Sequence, residues 1–279
     1  MFTKHSTVVR HPKDLTIAWA QQIINNHSVD AVVKKVDIVS VEHGTTTRIR
    51  LNVNHNGKER LARRWFVKIP SLAWRTRVIT ALPRLLHTEI RFYDEIAKSI
   101  PISIPTFLAG KSQFGRGSTL VLADVAETGA TPGRPGDVVT VIQARKVIEQ
   151  IAKLQAHFWN KAHAHSDYRW LACSARCLED RLGSALAVPL MKRGLHRAGD
   201  LVPKHLHVPA IRYASIRRQV MRFLSTDPQT IIHHDCHPGN IFWGKSGPGL
   251  LDWQLIRIGE GVSDIAYFLS TALTPEKRR

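Results

Sequence analysis

The sequence predicts an α+β chain of two lobes: an antiparallel-sheet amino-terminal lobe, residues 1–124, and a mainly helical carboxy-terminal lobe, residues 125–279. Three observations carry this expectation. Runs of β-branched and aromatic residues with period-two alternation crowd the first part. Apolar residues at helical spacing dominate from Val138 onward. Between them, Glu127 to Asp137 holds Gly129, Pro132, Gly133, Pro135 and Gly136, the composition of a linker. The 279 residues suffice for two lobes or for one large domain.

The elements follow in order. Ile17, Ala20, Ile23 and Ile24 share one side of a helix expected from about Leu15 to His27. Val32 to Val41 is rich in branched residues and reads as a strand. Arg48 to Val53 alternates polar with apolar, as a half-buried strand does. Asn56-Gly57 is a hairpin signal leading to a third strand, Arg64 to Pro70. Leu85, Leu86, Ile90, Tyr93 and Ile96 predict a helix from Arg84 to Ser99. Ser118 to Val125 reads as another strand. Val141, Ala144, Val147, Ile148, Ile151 and Leu154 form the apolar stripe of a helix over Val138 to Lys161. Further helices are expected within 174–188 and 210–224, and another begins near Gly261.

Residues 231–253 are the most informative. Asp235 and Asn240 are separated by Pro238-Gly239, which turns the backbone sharply. Ile241-Phe242-Trp243 is a short strand. A turn over Gly244 to Gly249 leads to a second strand, Leu250-Leu251, ending on Asp252. Such a hairpin brings the start of one strand and the end of the other to one edge. The oxygens of Asn240 and Asp252 can then meet on one hard cation, and magnesium suits them. Zinc is the competing reading, because His233, His234, Asp235, Cys236 and His237 adjoin. Consecutive residues cannot all face one ion, and the ligand spacing of zinc sites is poorly met.

The string His-x-Asp-x-x-His-Pro-Gly-Asn followed by Leu-Asp-Trp resembles the motif of the aminoglycoside phosphotransferase/choline kinase group, small-molecule kinases with a bilobal protein-kinase-like fold. The bacterial and ecdysteroid-kinase-like branches resemble it most. The resemblance implies transfer of the γ-phosphate of ATP, with Mg2+, to a hydroxyl of a small molecule. It implies Asp235 as the catalytic acceptor of the hydroxyl proton, Asn240 and Asp252 as metal ligands, and His233 as a histidine bracing the loop. His234 stands where protein kinases have Arg, and Asp252-Trp253-Gln254 where they have Asp-Phe-Gly; small-molecule kinases share both departures.

A kinase of this kind needs a strand lysine and a helix acid. Lys68, in the Arg64 to Pro70 strand, and Glu89, in Thr-Glu-Ile-Arg-Phe-Tyr, fit by order and distance. Gly44, Thr45 and Thr46, in the segment Glu42 to Thr47, are expected to offer amides and hydroxyls to phosphates, although an ordinary tight turn reads equally well there. The strand Val121 to Ala123 is placed at the adenine, with Ala123 where the family has an acid. Gln155 stands where the family commonly has histidine. Asp264 is expected to hydrogen-bond the catalytic segment. The resemblance covers roughly residues 30–272. The family usually continues with more helices after the one near Gly261, so the expectation is a fold shortened at the C-terminus.

Composition constrains less. Forty Lys plus Arg against 22 Asp plus Glu gives a net charge of +18. That raises nucleic-acid binding as a rival reading. The charge is dispersed, however, with small clusters at Arg63-Arg64, Arg75/Arg77, Arg217-Arg218 and Lys277-Arg278-Arg279 that match no nucleic-acid module. A nucleotide-binding pseudokinase is the other alternative. Glu179-Asp180 is the paired acid of the helical lobe, either surface or acceptor contact. Cys173, Cys177 and Cys236 form no disulfide framework, which fits a reducing compartment. His163, His165, His205 and His207 read as surface residues. Met1 to His5 lacks a signal-peptide core, and no stretch is long and apolar enough for a membrane span. The cytoplasm is the expected compartment. The residues do not choose among sugar, amino alcohol, steroid or antibiotic acceptors.

Overall fold

The computed structural model describes residues 7–73, 85–113, 117–161, 166–172, 174–226 and 228–278. Expectations on Met1 to His5, Arg75, Arg77, Arg84, His163, His165, Cys173 and Arg279, and on the side chains of Cys177 and Glu179, lie outside the described residues. The chain forms two compact units. One comprises Met1–His157, His233–Ile256 and Val262–Arg279; the other comprises Phe158–Ile232 and Arg257–Gly261.

The first unit opens with α1 (Ile17–Asn25), whose N-terminus is capped by Thr16 Oγ1 accepting from the Trp19 amide. This cap fixes where the expected helix starts. Two antiparallel strands follow, β1 (Val33–His43) and β2 (Thr46–His55). The expected six-residue loop between them shrinks to Gly44-Thr45, because the β-branched Thr46 and Thr47 join the ladder opposite Pro70 and Ile69. The link from β2 to β3 (Arg64–Pro70) is longer than the two-residue hairpin expected at Asn56-Gly57. Asn56 is used elsewhere: its Oδ1 accepts from the Val32 amide at 2.7 Å, tying the end of β2 to the start of β1.

A helical segment comes next, α2 (Leu85–Arg91), which continues through a widened turn over Phe92–Ile96 to Ser99. Strands β4 (Phe107–Gln113) and β5 (Gly117–Ala123) complete a five-stranded antiparallel sheet in the order β1-β2-β3-β5-β4. β4 is unexpected, since Gly110, Lys111 and Ser112 interrupt any apolar alternation.

Alternation divides the sheet's faces. Ile49, Leu51 and Val53 of β2, Trp65, Val67 and Ile69 of β3, and Val121 of β5 form one core with Trp19, Ile23 and Ile24 of α1. Burying each such side chain is worth about 1.5–3 kcal/mol. The Trp19 and Trp65 rings meet edge to face at 6.0 Å. The even-numbered residues Arg48, Arg50, Phe66, Lys68 and Leu122 are left for the other face.

The Gly/Pro stretch contains a two-residue strand, β6 (Thr131–Pro132), and is followed by α3 (Val141–Phe158). α3 buries Ala144, Val147, Ile151 and Leu154 of the predicted stripe, whereas Ile148 is half-buried and Val141, in the first turn, is exposed.

In the second unit α4 (Ser174–Ala198) runs ten residues beyond the expected end at 188, through Pro189. α5 (His207–Leu224) packs on it, and Arg217 Nη1 donates to Ser184 Oγ at 2.8 Å. β7 (Gln229–Ile232) pairs antiparallel with a strand absent from the sequence reading, Arg257–Glu260. Asp180 of the acidic pair is bound by Arg257 at 2.7 and 3.1 Å.

The hairpin that follows Asn240 belongs to the first unit: β8 (Ile241–Gly244) and β9 (Gly247–Leu250). Gly244 faces Gly247, so the turn is Lys245-Ser246 and the expected Gly/Pro turn is mostly strand. Pro248 is tolerated because β9 is the edge of the sheet β6-β8-β9. Counting Arg257–Glu260 as β10, the last long element is α6 (Val262–Ala272). Among the described residues no helix is long and apolar enough to cross a membrane.

Candidate active site

A cavity of about 710 Å3 lies in the first unit, lined from the sheet by Arg48, Arg50, Phe66 and Lys68 and from the hairpin segment by Asp235, Asn240 and Asp252. Its volume is ordinary for a small-molecule site.

Lys68 is almost wholly buried, at 3% exposure, and Glu89 is completely so. Lys68 Nζ donates to both Glu89 oxygens, at 2.8 and 2.9 Å, and lies 3.1 Å from Asp252 Oδ1. Burial would lower the Lys68 pKa, but the Asp252 and Glu89 carboxylates outweigh it and hold the ammonium above its ordinary value. Burial likewise works to raise Asp252. Lys68, with the more distant Arg48, overcomes that and holds the carboxyl below its usual range. Glu89, deeper, is pushed up by burial despite Lys68. A charge cluster this enclosed is costly unless each member is paired, which is why such groups point to chemistry.

Trp253 locks this cluster to the helix. Its amide donates to Glu89 Oε1 at 3.3 Å, and its ring stacks on Phe92 with centroids 4.2 Å apart. Asp252 itself adopts φ 60°, ψ 74°, and His234 has φ 65°. Non-glycine residues enter this left-handed region at a cost, and both do so at the cavity segment.

The loop carrying Asp235 is held from behind. Asp264 of α6 accepts the amides of His233 and His234 at 2.8 and 2.7 Å. His233 is fully buried; its Nε2 sits 2.8 Å from the Leu251 carbonyl, and its Nδ1 accepts from the Asp235 amide at 3.3 Å. Those partners define the neutral tautomer with hydrogen on Nε2. Burial, outweighing Asp264 and the other acids, lowers its pKa. Asn240 Nδ2 donates to the Asp235 carbonyl and to Asp235 Oδ2, both at 3.0 Å. Its amide hydrogens are thereby used, and the group it presents to a ligand is its oxygen.

Segment 131–135 is pressed on this loop. The Gly133 amide donates to the Ile241 carbonyl at 2.8 Å, and a Cβ on Gly133 would stand 2.2 Å from the Pro238 carbonyl oxygen. Only glycine fits such a backbone approach.

The structure thus brings Lys68, Glu89, Asp252, Asp235 and Asn240 to one cavity wall or to its direct supports. Ala123 lines the cavity, but Val121 turns into the α1 core and Leu122 takes the cavity side, as strand alternation requires. Gly44, Thr45 and Thr46 do not line it; Glu42, Arg48 and Arg50 do. Residues the sequence reading missed include Arg48, on the same strand face as Lys68, and Tyr267, whose hydroxyl is held above its ordinary pKa by burial and by the Asp235 carboxylate. Period-two alternation could have found Arg48; no sequence signal singled out Tyr267. Asn240 and Asp252 together offer hard oxygen donors to the cavity, with Asp252 Oδ1 beside the Lys68 ammonium. This set fits magnesium.

This buried Lys–Glu pair, the carboxylate of Asp252 and the Asp235–Asn240 loop characterise a protein-kinase-like fold. The profile described as "Phosphotransferase enzyme family" matches residues 52–279, and the chain belongs to that family. Similar solved structures include wild-type aminoglycoside 2'-phosphotransferase-IIIa with GDP, at 14% identity and TM-score 0.50, covering 92% of this chain and 78% of that one. A GDP and kanamycin complex of a 2''-aminoglycoside phosphotransferase is 14% identical, TM-score 0.51, over 93% and 80% of the two chains. Choline kinase from Cryptosporidium parvum is 13% identical, TM-score 0.51, over 84% and 62%. No curated protein sequence matches significantly.

Proposed function

We propose that the chain is an ATP- and magnesium-dependent phosphotransferase that moves the γ-phosphate to a hydroxyl of a small molecule. One observation carries this reading: a buried lysine held between two carboxylates, Glu89 and Asp252, in a cavity that Asp235 and Asn240 also line. Residues 1–124 serve as the nucleotide-binding lobe and residues 125–279 as the catalytic lobe. Lys68, positioned by Glu89, receives phosphate oxygens. Ala123 and its neighbours face the base. Asn240 and Asp252 hold magnesium, which when bound supplies charge neutralisation for the phosphates.

Asp235 orients the acceptor hydroxyl and takes its proton as the oxygen bonds to phosphorus and the bond to the nucleoside diphosphate breaks. Asn240 fixes the carboxylate, while His233 and Asp264 fix the backbone beneath it. Most of the acceleration comes from positioning and fixed charge. Similar structures that hold GDP support a nucleotide co-substrate, and those named for an aminoglycoside and for choline support a small hydroxyl acceptor. We place the reaction in the cytoplasm.

Asp235→Ala tests the assignment. Transfer to candidate alcohols falls at least about 1000-fold, as loss of a catalytic base with positioning does, while Mg-ATP affinity changes little. Undiminished turnover rejects it.

A further inference from the structure

The cations that the sheet contributes to the cavity are committed to different degrees. Lys68 is enclosed by Glu89 and Asp252. Arg50 is held by Glu42 at 2.7 Å and Asp124 at 3.4 Å, with its guanidinium 5.4 Å from the Phe66 ring centroid. Arg48 is different. The acid it pairs with is Glu42, at 3.9 Å, and Glu42 already has Arg50 much closer. Its side chain is 42% exposed and lines the cavity.

Register makes this placement informative. Arg48 lies directly opposite Lys68 on the neighbouring strand, so both side chains leave the same face of the sheet. Its charge is felt at Asp252. Its Nη2 lies 3.4 Å from where a Gly44 Cβ would stand, so the guanidinium is laid along the β1–β2 turn. That turn has one glycine, and Gly44, Thr45 and Thr46 are absent from the cavity lining. A backbone cradle for phosphate oxygens is therefore poorly supplied where such a cradle is expected. A guanidinium, with its planar fork of donors, is the side chain suited to that task.

We infer that Arg48 is a phosphate-binding residue, a second fixed cation that, opposite Lys68, grips the polyphosphate where the turn offers few amides. The inference rests on the nucleotide-binding reading above. Calorimetric titration of the intact protein, Arg48→Gln and Arg48→Lys with Mg-ATP and with adenosine tests it. R48Q weakens Mg-ATP binding about 10- to 100-fold, the effect of losing charge-assisted hydrogen bonds, while R48K recovers part of it. Adenosine affinity stays within about twofold of the unaltered protein's, because the lost donors face phosphate. If the unaltered protein binds Mg-ATP and R48Q binds it equally well, the inference is overturned and the functional reading stands. Parallel losses for Mg-ATP and adenosine assign Arg48 to the shape of the site and overturn the inference too. If the unaltered protein binds no Mg-ATP, both fall together.

Discussion

Lys68 and Glu89 illustrate how a single residue's chemistry depends on its partner. Lys68→Met leaves Glu89, with no exposed surface, deprived of its cation. The substitution costs about 3–5 kcal/mol, the usual consequence of breaking a buried pair from one side. Adding Glu89→Gln removes the orphaned charge, so thermal unfolding of the double variant recovers most of the loss while transfer activity does not return. Recovery of activity along with stability would mean that Lys68 has no role beyond folding. His233 gives a second residue-level prediction. Its folded pKa is lowered from the ordinary value of 6.5, so the unfolded chain takes the proton first. Stability is therefore lost as pH falls through about 6.5, and the loss grows until the folded imidazole itself protonates. Melting temperatures of the unaltered protein should decline over that window more steeply than those of His233→Gln; equal slopes would contradict the buried neutral imidazole.

At the scale of elements, the segment over 131–135 and the Asp235–Asn240 loop touch backbone to backbone. Gly133→Ala puts a methyl on the Pro238 carbonyl oxygen, which cannot yield as a flexible side chain would. We expect a loss of about 1–3 kcal/mol from overpacking, and a fall in turnover exceeding any change in nucleotide affinity, measured by melting and titration. A variant with normal stability and turnover would show that the contact is dispensable. Elements with one strong local signal were legible in the sequence: β3 from its aromatic and branched run, α3 from its apolar stripe, and the helix carrying Glu89. What escaped has physical reasons. β10 is stabilised by β7, a ladder partner distant in sequence, and β4 is held on the sheet edge by β5 alone, neither by its own alternation. β9 reads as a turn because Gly247-Pro248-Gly249 has turn composition, and an edge position makes it acceptable as a strand. Asn56-Gly57 reads as a hairpin because nothing local shows that Asn56 caps β1. In the site, residues tied by a linear motif were legible, whereas Arg48 and Tyr267 depend on register and on a distant helix.

Across the whole molecule, a net charge of +18 suits a polyanionic co-substrate and weighs mildly against a strongly cationic acceptor. The acids that line the cavity are largely committed: Glu42 and Asp124 to Arg50, and Asp252 to Lys68. The family membership, the kinase-like fold and the enclosed charge cluster are the grounds on which nucleotide chemistry is proposed at this cavity. The direct test is the magnesium dependence of ATP binding, titrated calorimetrically in the unaltered protein and in Asp252→Asn. The account predicts that magnesium tightens ATP binding in the first and has little effect in the second. Binding that is absent, or equally magnesium-dependent in both, would contradict it.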